Sequence, residues 1–232
     1  MARKRSHAKP RRRRRRKSSN RIHSVVIRGP SAFPDRVFVR LKYSNSFRLT
    51  GTGLNTLTFS GNAMNRPDLQ QPTQLCRGLR EWMNIYDTVK VHKSNISVDC
   101  HNQHNVATTD CVVLPFNEVA PSFVDTEDAR EQPYAKSRRA GSRNGNTASV
   151  IIRNSMKTKT VFGTKFINDT YAGSLTSAPA EQWFWECYFQ DLVEDTTMAL
   201  DMEVSVTLTY FIELYERKFI PRSESPSLEI KA

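Results

Sequence analysis

No aspartate or glutamate occurs in residues 1–28 of this chain, and none occurs in residues 132–168. Cysteine is scarce as well. Cys76, Cys100, Cys111 and Cys187 form no C-x-x-C pair, which argues against a disulfide framework or a zinc finger of common spacing and leaves reduced, partly buried thiols as the expectation. Long apolar runs are missing too. The stretch Val25-Val26-Ile27 is too short for a signal peptide, and nothing approaches the length of a membrane span, so a soluble chain without membrane insertion or secretion is expected. The sequons at Asn95 and Asn168 carry no weight outside a secretory compartment.

Catalytic signatures are equally absent. There is no G-x-S-x-G, no Walker loop and no H-E-x-x-H, and Gly51-Thr52-Gly53 lacks the helix and spacing of a dinucleotide loop. Cys100, His101, His104 and Cys111 could surround a metal, but their spacing matches no common site and the stretch reads as a polar loop between strands. The acids Asp191, Glu194, Asp195, Asp201 and Glu203 crowd one loop without EF-hand spacing. The expectation is a protein that is no enzyme and has no metal and no cofactor.

What is present is charge of one sign. The chain of 232 residues has a formal net charge of +12. Thirteen cations precede residue 29: Arg3, Lys4, Arg5, Lys9, Arg11, Arg12, Arg13, Arg14, Arg15, Arg16, Lys17, Arg21 and Arg28. The remaining residues carry 22 basic and 23 acidic side chains and are nearly neutral. Residues this polar and self-repelling cannot bury enough apolar surface to offset chain entropy, so residues 1–28 should form a disordered arm. Its guanidinium ladder suits phosphate oxygens irrespective of base identity, and its two basic clusters suit a nuclear import receptor.

The body reads with period two. Met202, Val204, Val206, Leu208, Tyr210, Ile212 and Leu214 alternate with polar residues and with Phe211, which predicts a long strand with one buried face. Trp183, Trp185, Cys187 and Phe189 define a strand over 182–190, expected to pair with the first as a closing hairpin. Val37, Val39, Leu41 and Tyr43 define another. In residues 88–99 the alternation of Val89 and Val91 changes parity before Ile96 and Val98, which predicts a bulge near Ser94 and Asn95. Shorter strands are expected over 54–60, 110–114, 148–153 and 158–166, with one short helix around 73–83 and long irregular connections over 61–74 and 117–147. Eight strands without alternating helices predict an all-β fold, a single eight-stranded antiparallel jelly-roll sandwich, in preference to an open immunoglobulin-like one.

Two further basic features lie on this body. Arg40, Lys42, Lys90 and His92 fall on the polar side of their strands with Phe38 among them, a mixture that can hold phosphates and stack bases. Lys136, Arg138, Arg139, Arg143, Arg153, Lys157, Lys159 and Lys165 form an acid-free candidate second polyanion contact, with a solvated basic loop and strand as the plainer reading.

Taken in order, the opening MARKRSHAKPRRRRRRK, the segment REWMNIYDTVKVHKSNISV, PYAKSRR, QWFWECYFQ and MEVSVTLTYFIELYERK resemble the capsid proteins of circular single-stranded DNA viruses of the circovirus-like group. The resemblance covers nearly the whole chain. It implies an arm at 1–28, a jelly-roll capsid domain at 29–220 and a C-terminal tail at 221–232. It further implies self-assembly into a small icosahedral shell, a single-stranded nucleic-acid genome held by the arm inside the virion, and import into the host nucleus by the same arm. One sheet would line the interior, which could direct Arg40, Lys42 and Lys90 to the genome. A host-cell attachment factor is a further candidate partner. The alternative is a cellular nucleic-acid chaperone or ribosome-associated RNA-binding protein with a basic tail.

Overall fold

The computed structural model describes residues 33–119, 123–165, 168–192 and 200–218. The arm 1–28, the tail 221–232 and the acids Glu194 and Asp195 lie outside these residues. In chain order the described elements are β1 (Val37–Gly51), β2 (Asn55–Ser60), α1 (Leu79–Met83), β3 (Tyr86–Asn102), β4 (Thr109–Phe116), α2 (Thr126–Glu131), β5 (Lys136–Ala140), β6 (Ser149–Lys157), α3 (Thr158–Val161), a 3-10 turn (Asp169–Tyr171), β7 (Ala172–Gly173), β8 (Phe184–Asp191) and β9 (Leu200–Arg217).

Pairing is nested: β1 with β9, β2 with β8, β3 with β6 and β4 with β5, all antiparallel. Contacts of β3 with β9 and of β4 with β8 then close two sheets, ordered β1-β9-β3-β6 and β2-β8-β4-β5, with the two-residue β7 added on β3. This is the expected all-β jelly roll, a hairpin of strand pairs rolled into two facing sheets.

The core lies between the sheets, where the period-two residues of β9 meet Phe59, Cys187, Phe189 and the paired indoles of Trp183 and Trp185. Three aromatic side chains of the core find partners for their polar tips across the layers. Trp185 Nε1 donates to Ser94 Oγ at 3.0 Å, Trp183 Nε1 to Thr158 Oγ1 at 3.2 Å, and Tyr210 Oη to the Ser60 carbonyl at 2.6 Å. All four cysteines are free and buried.

Three expectations are corrected. First, β8 does not pair with β9. The two strands follow one another in sequence but belong to opposite sheets, and β8 is buried on both faces because Val112, Leu114 and Tyr188 on its sheet's outer side are covered by Phe123 and Ala129. Second, the connection 117–147 is not irregular throughout. It contains α2, capped by the Asp125 carboxylate on the Glu127 and Asp128 amides, and then β5, whose charged side chains suit an edge strand. Third, residues 158–161 form a helical turn where a strand was expected. The buried Thr158 hydroxyl bonds the Val91 carbonyl at 2.7 Å and turns the chain inward, and Gly163 at φ +64° follows the turn in the left-handed region that glycine favours. Phe166 lies outside the described residues.

The long connection after β2 is a plug over that strand's free edge. Ser60 N donates to the Pro67 carbonyl and Leu69 N to the Thr58 carbonyl, while the fully buried Asp68 carboxylate accepts from Tyr43 Oη, Asn45 Nδ2 and Gln70 N. No helix among the described residues is long and apolar enough to cross a membrane.

Candidate nucleic-acid interface

The outer face of the first sheet is open to solvent. Because strand register aligns side chains in rows, its chemistry follows from the pairing. Arg40 is opposite Phe211, Phe211 opposite Lys93, and Lys93 opposite Lys157, so one row across β1, β9, β3 and β6 reads Arg, Phe, Lys, Lys. At the usual strand spacing it spans about 14 Å. The next row is Lys42, Thr209, Asn95 and Ser155, and the one after it is Ser44, Thr207, Ser97 and Arg153. Arg40, Lys42, Arg153 and Lys157 are exposed, while Phe211 and Lys93 are half-buried. The Lys93 ammonium lies 5.3 Å from the Phe211 ring centroid.

Lys93 reaches this face through the bulge. Val91 pairs with Ile212 and Lys93 with Phe211, so His92 is the extra residue and both His92 and Lys93 point outward. The sequence predicted the bulge two residues later, which left Lys93 without an assigned face. Phe211 stood on the polar side of its strand's alternation, and that alternation was the signal for it.

Lys90 departs from the expectation of a free cation. It is 8% exposed, its Nζ lies 3.1 Å from Asp169 Oδ1, and its ammonium sits 4.9 Å from the Tyr215 ring centroid. Hydrogen bonds from Lys90 and Tyr215 hold the Asp169 carboxyl below the usual carboxylate range, and burial together with Asp169 pushes the Tyr215 phenol up. His92 is also engaged, with Nε2 2.9 Å from Glu213 Oε2, and Arg36 holds the other oxygen of that carboxylate at 3.0 Å. Phe38 is 72% exposed beside the His92 ring.

The second basic cluster does not stay together. Arg153 and Lys157 belong to the sheet face just described, whereas Arg138 and Arg139 lie on β5 in the other sheet. Lys136 joins the two, since its Nζ leaves β5 and donates to the Arg153 carbonyl at 3.1 Å. Arg139 stands 4.0 Å from the buried Asp110, whose nearer partner is Arg130 of α2. Arg143, Lys159 and Lys165 are exposed outside the strands.

Two concavities flank the cationic row. One, of about 430 Å3, opens beside β3, β6 and β9 and includes Lys136 and Arg153. The other, of about 720 Å3, lies along the free edge of β1, where Arg77 stands with Arg40 and Lys42. At the far end of this face Arg48 holds Asp201 through both carboxylate oxygens, and in the other sheet Asp191 at the end of β8 accepts from Thr109 Oγ1 at 2.6 Å. His104 Nδ1 accepts the Val106 and Ala107 amides, and among the described residues no three His, Cys, Asp or Glu side chains gather closely enough to hold a metal.

No protein-family model matches the chain, and no curated protein matches it. Its backbone is similar to the solved structure of desmodium yellow mottle tymovirus, at 10% identity and TM-score 0.45 over 85% of this chain and 97% of that one. It is similar to the 60-mer BFDV capsid protein at 11% identity and TM-score 0.45, over 83% and 100% of the two chains. A third likeness is to the semi-empty particle of the Macrobrachium rosenbergii nodavirus, at 7% identity and TM-score 0.43 over 88% and 100%. All three scores lie below 0.5, and the jelly-roll assignment rests on strand order and pairing alone.

Proposed function

We propose that the chain is a capsid protein of circovirus-like kind, which assembles with copies of itself into a small icosahedral shell and packages a single-stranded nucleic-acid genome. The observation that carries this reading is the division of charge. Thirteen cations and no acid precede a body with 22 basic and 23 acidic residues, and that body is a jelly roll with a cationic row on one solvent face. A near-neutral body lets subunits approach without large repulsion, while the arms tolerate one another only around a polyanion.

In this reading the arm holds genome phosphates and also carries the chain into the host nucleus. Arg40 and Lys42 extend the phosphate contact onto the sheet, joined by Lys93, Arg153 and Lys157. Arg138, Arg139, Arg143, Lys159 and Lys165 remain for a second polyanion or a host attachment factor. A cellular nucleic-acid chaperone with a basic tail accounts for the arm equally well, but gives no role to the plug and the α2 cover.

The test is electron microscopy of purified full-length protein and of protein lacking residues 1–28, with nuclease-resistant nucleic acid measured in each. Uniform closed shells, loaded in the first case and nearly empty in the second, are expected. Dispersed monomers of the full-length protein would overturn the capsid reading, and equal loading would overturn the role of the arm.

A further inference from the structure

The concavity of about 430 Å3 beside β6 has a composition that the arm and the exposed cations do not share. Its walls carry Ser97, Ser155, Thr207 and Thr209 hydroxyls together with Lys136 and Arg153, and no carboxylate lines it. The Asn95 side chain adds an amide. A solvated sheet face needs no such gathering of short donors. Its wall is also held in place from behind. Asn154 donates to the Tyr134 carbonyl at 2.9 Å and the Lys136 ammonium to the Arg153 carbonyl, so the β5 edge is tied to β6 at the concavity.

Hydroxyl and amide donors flanked by two cations match the oxygens of a phosphodiester, which accept several hydrogen bonds while carrying one charge. Phe211 lies on the same face, two strands across and four residues along from Arg153, about 17 Å at the usual strand spacing. A few extended nucleotides of a single strand span that distance. The half-buried Lys93 ammonium beside the ring is held there by the ring face, so a stacking base can displace it and let it turn to a neighbouring phosphate.

We infer that this concavity is a nucleotide subsite, holding one phosphodiester group between Arg153 and Lys136, with a base further along the same single strand on the Phe211 ring. The inference rests on the packaging function proposed above and adds a fixed point to it. The arm binds through counterion release and weakens steeply with salt. The subsite binds largely through short hydrogen bonds and stacking, and holds one segment of single strand diagonally across the sheet from β6 to β9.

The test uses full-length protein and a fluorescein-labelled thymidine tetranucleotide carrying one 5-iodouracil, at a salt concentration of about 0.5 M where the contribution of the arm has fallen away. Compared are the unsubstituted protein, Thr207→Val with Thr209→Val, Phe211→Leu, and Ser205→Ala on the same face outside the concavity. Val at 207 and 209 keeps side-chain shape and strand preference while removing the hydroxyls. Each of the first two variants should bind the tetranucleotide about tenfold more weakly. Ser205→Ala should be unchanged, and photocrosslinks should map to Phe211 and be lost in Phe211→Leu.

Unchanged affinity in both variants, crosslinks mapping elsewhere, or preferential displacement by a sulfated oligosaccharide would overturn the subsite. Failure of the packaging reading looks different, because shells would then carry no nuclease-resistant nucleic acid in any variant. Shells loaded equally in all variants, with tetranucleotide affinity unaffected, would remove the subsite alone.

Discussion

Asp110 on β4 holds the guanidinium of Arg130 on α2, and this ion pair anchors the α2 cover to the outer side of the second sheet. The carboxylate is fully buried while the arginine side chain keeps 35% of its exposure. A second guanidinium, that of Arg139, stands 4.0 Å away.

Removing one member of a buried pair leaves the other uncompensated. Arg130→Met should therefore lower unfolding free energy by about 3 kcal/mol, because it strands the fully buried Asp110 carboxylate. Urea denaturation measures the loss, and limited proteolysis should show new cleavage within residues 117–135. The double variant Asp110→Asn with Arg130→Met should recover much of the stability, because neither charge is then stranded. A loss below about 1 kcal/mol in the single variant would mean that the apolar contacts of Phe123 and Ala129 hold the cover unaided.

Gly61 is required by the close approach of an indole. A methyl group there would fall 2.3 Å from ring carbons of Trp183, and the Gly61 amide already donates to the Trp183 carbonyl at 2.7 Å. Gly61→Ala should cost about 2 to 3 kcal/mol through overpacking. Adding Trp183→Phe should relieve part of the clash, at the expense of the bond to Thr158. Thermal denaturation of the three proteins checks this, and an unchanged midpoint in Gly61→Ala would show that the indole shifts freely.

Alkaline pH should unfold the body before it ionises the folded state. Burial pushes the Cys76 thiol up to about 12 from 9.0 and raises the Tyr43, Tyr188 and Tyr210 phenols above 10.0. Groups raised in the folded state contribute stability that is complete below the unfolded-state value and lost as pH climbs through the folded one. The urea midpoint should be flat near pH 8 and fall progressively above about pH 9. In a Tyr134→Phe background, which removes the exposed phenol, phenolate absorbance should rise together with loss of circular dichroism; a phenolate signal from most of the remaining tyrosines preceding unfolding would contradict the burial of these side chains.

Salt should separate the arm from the sheet. Replacing Arg11 to Arg16 by Gln should reduce the slope of log affinity against log salt for a long single strand by about four, at roughly 0.7 per phosphate contact. Replacing Arg40, Lys42, Lys93 and Lys157 by Gln should reduce it by at most about three. Fluorescence anisotropy with two unrelated oligonucleotides over a salt series measures both. An unchanged slope in the arm variant would remove the arm as the genome contact, and a large difference between the two sequences would indicate base readout instead.

Strands with one wet face were legible because the pleat sends successive side chains to opposite sides. Val37 to Tyr43 and Met202 to Leu214 show this alternation residue by residue, and they form β1 and β9. The strand β8 was legible as a strand but not in its partner. Both of its faces are buried, one under residues near α2, so nothing in its own residues distinguishes the sheet to which it belongs. The strand β5 was hidden by its cations, and α3 by an alternation of threonines and lysine that suits a strand locally.

The sequence by itself determined the charge division between residues 1–28 and the body, the period-two strands and their inward residues, because each of these is a property of near neighbours along the chain. Tertiary structure alone decided which strands share a sheet and which cations face solvent unpaired. Lys90 and Lys93 are three residues apart in one strand, yet the first is spent on Asp169, 79 residues away, while the second stands beside Phe211 on the open face. The difference comes from one extra residue at His92 and from the position of a distant carboxylate, and burial and ion pairing are set by such non-local contacts.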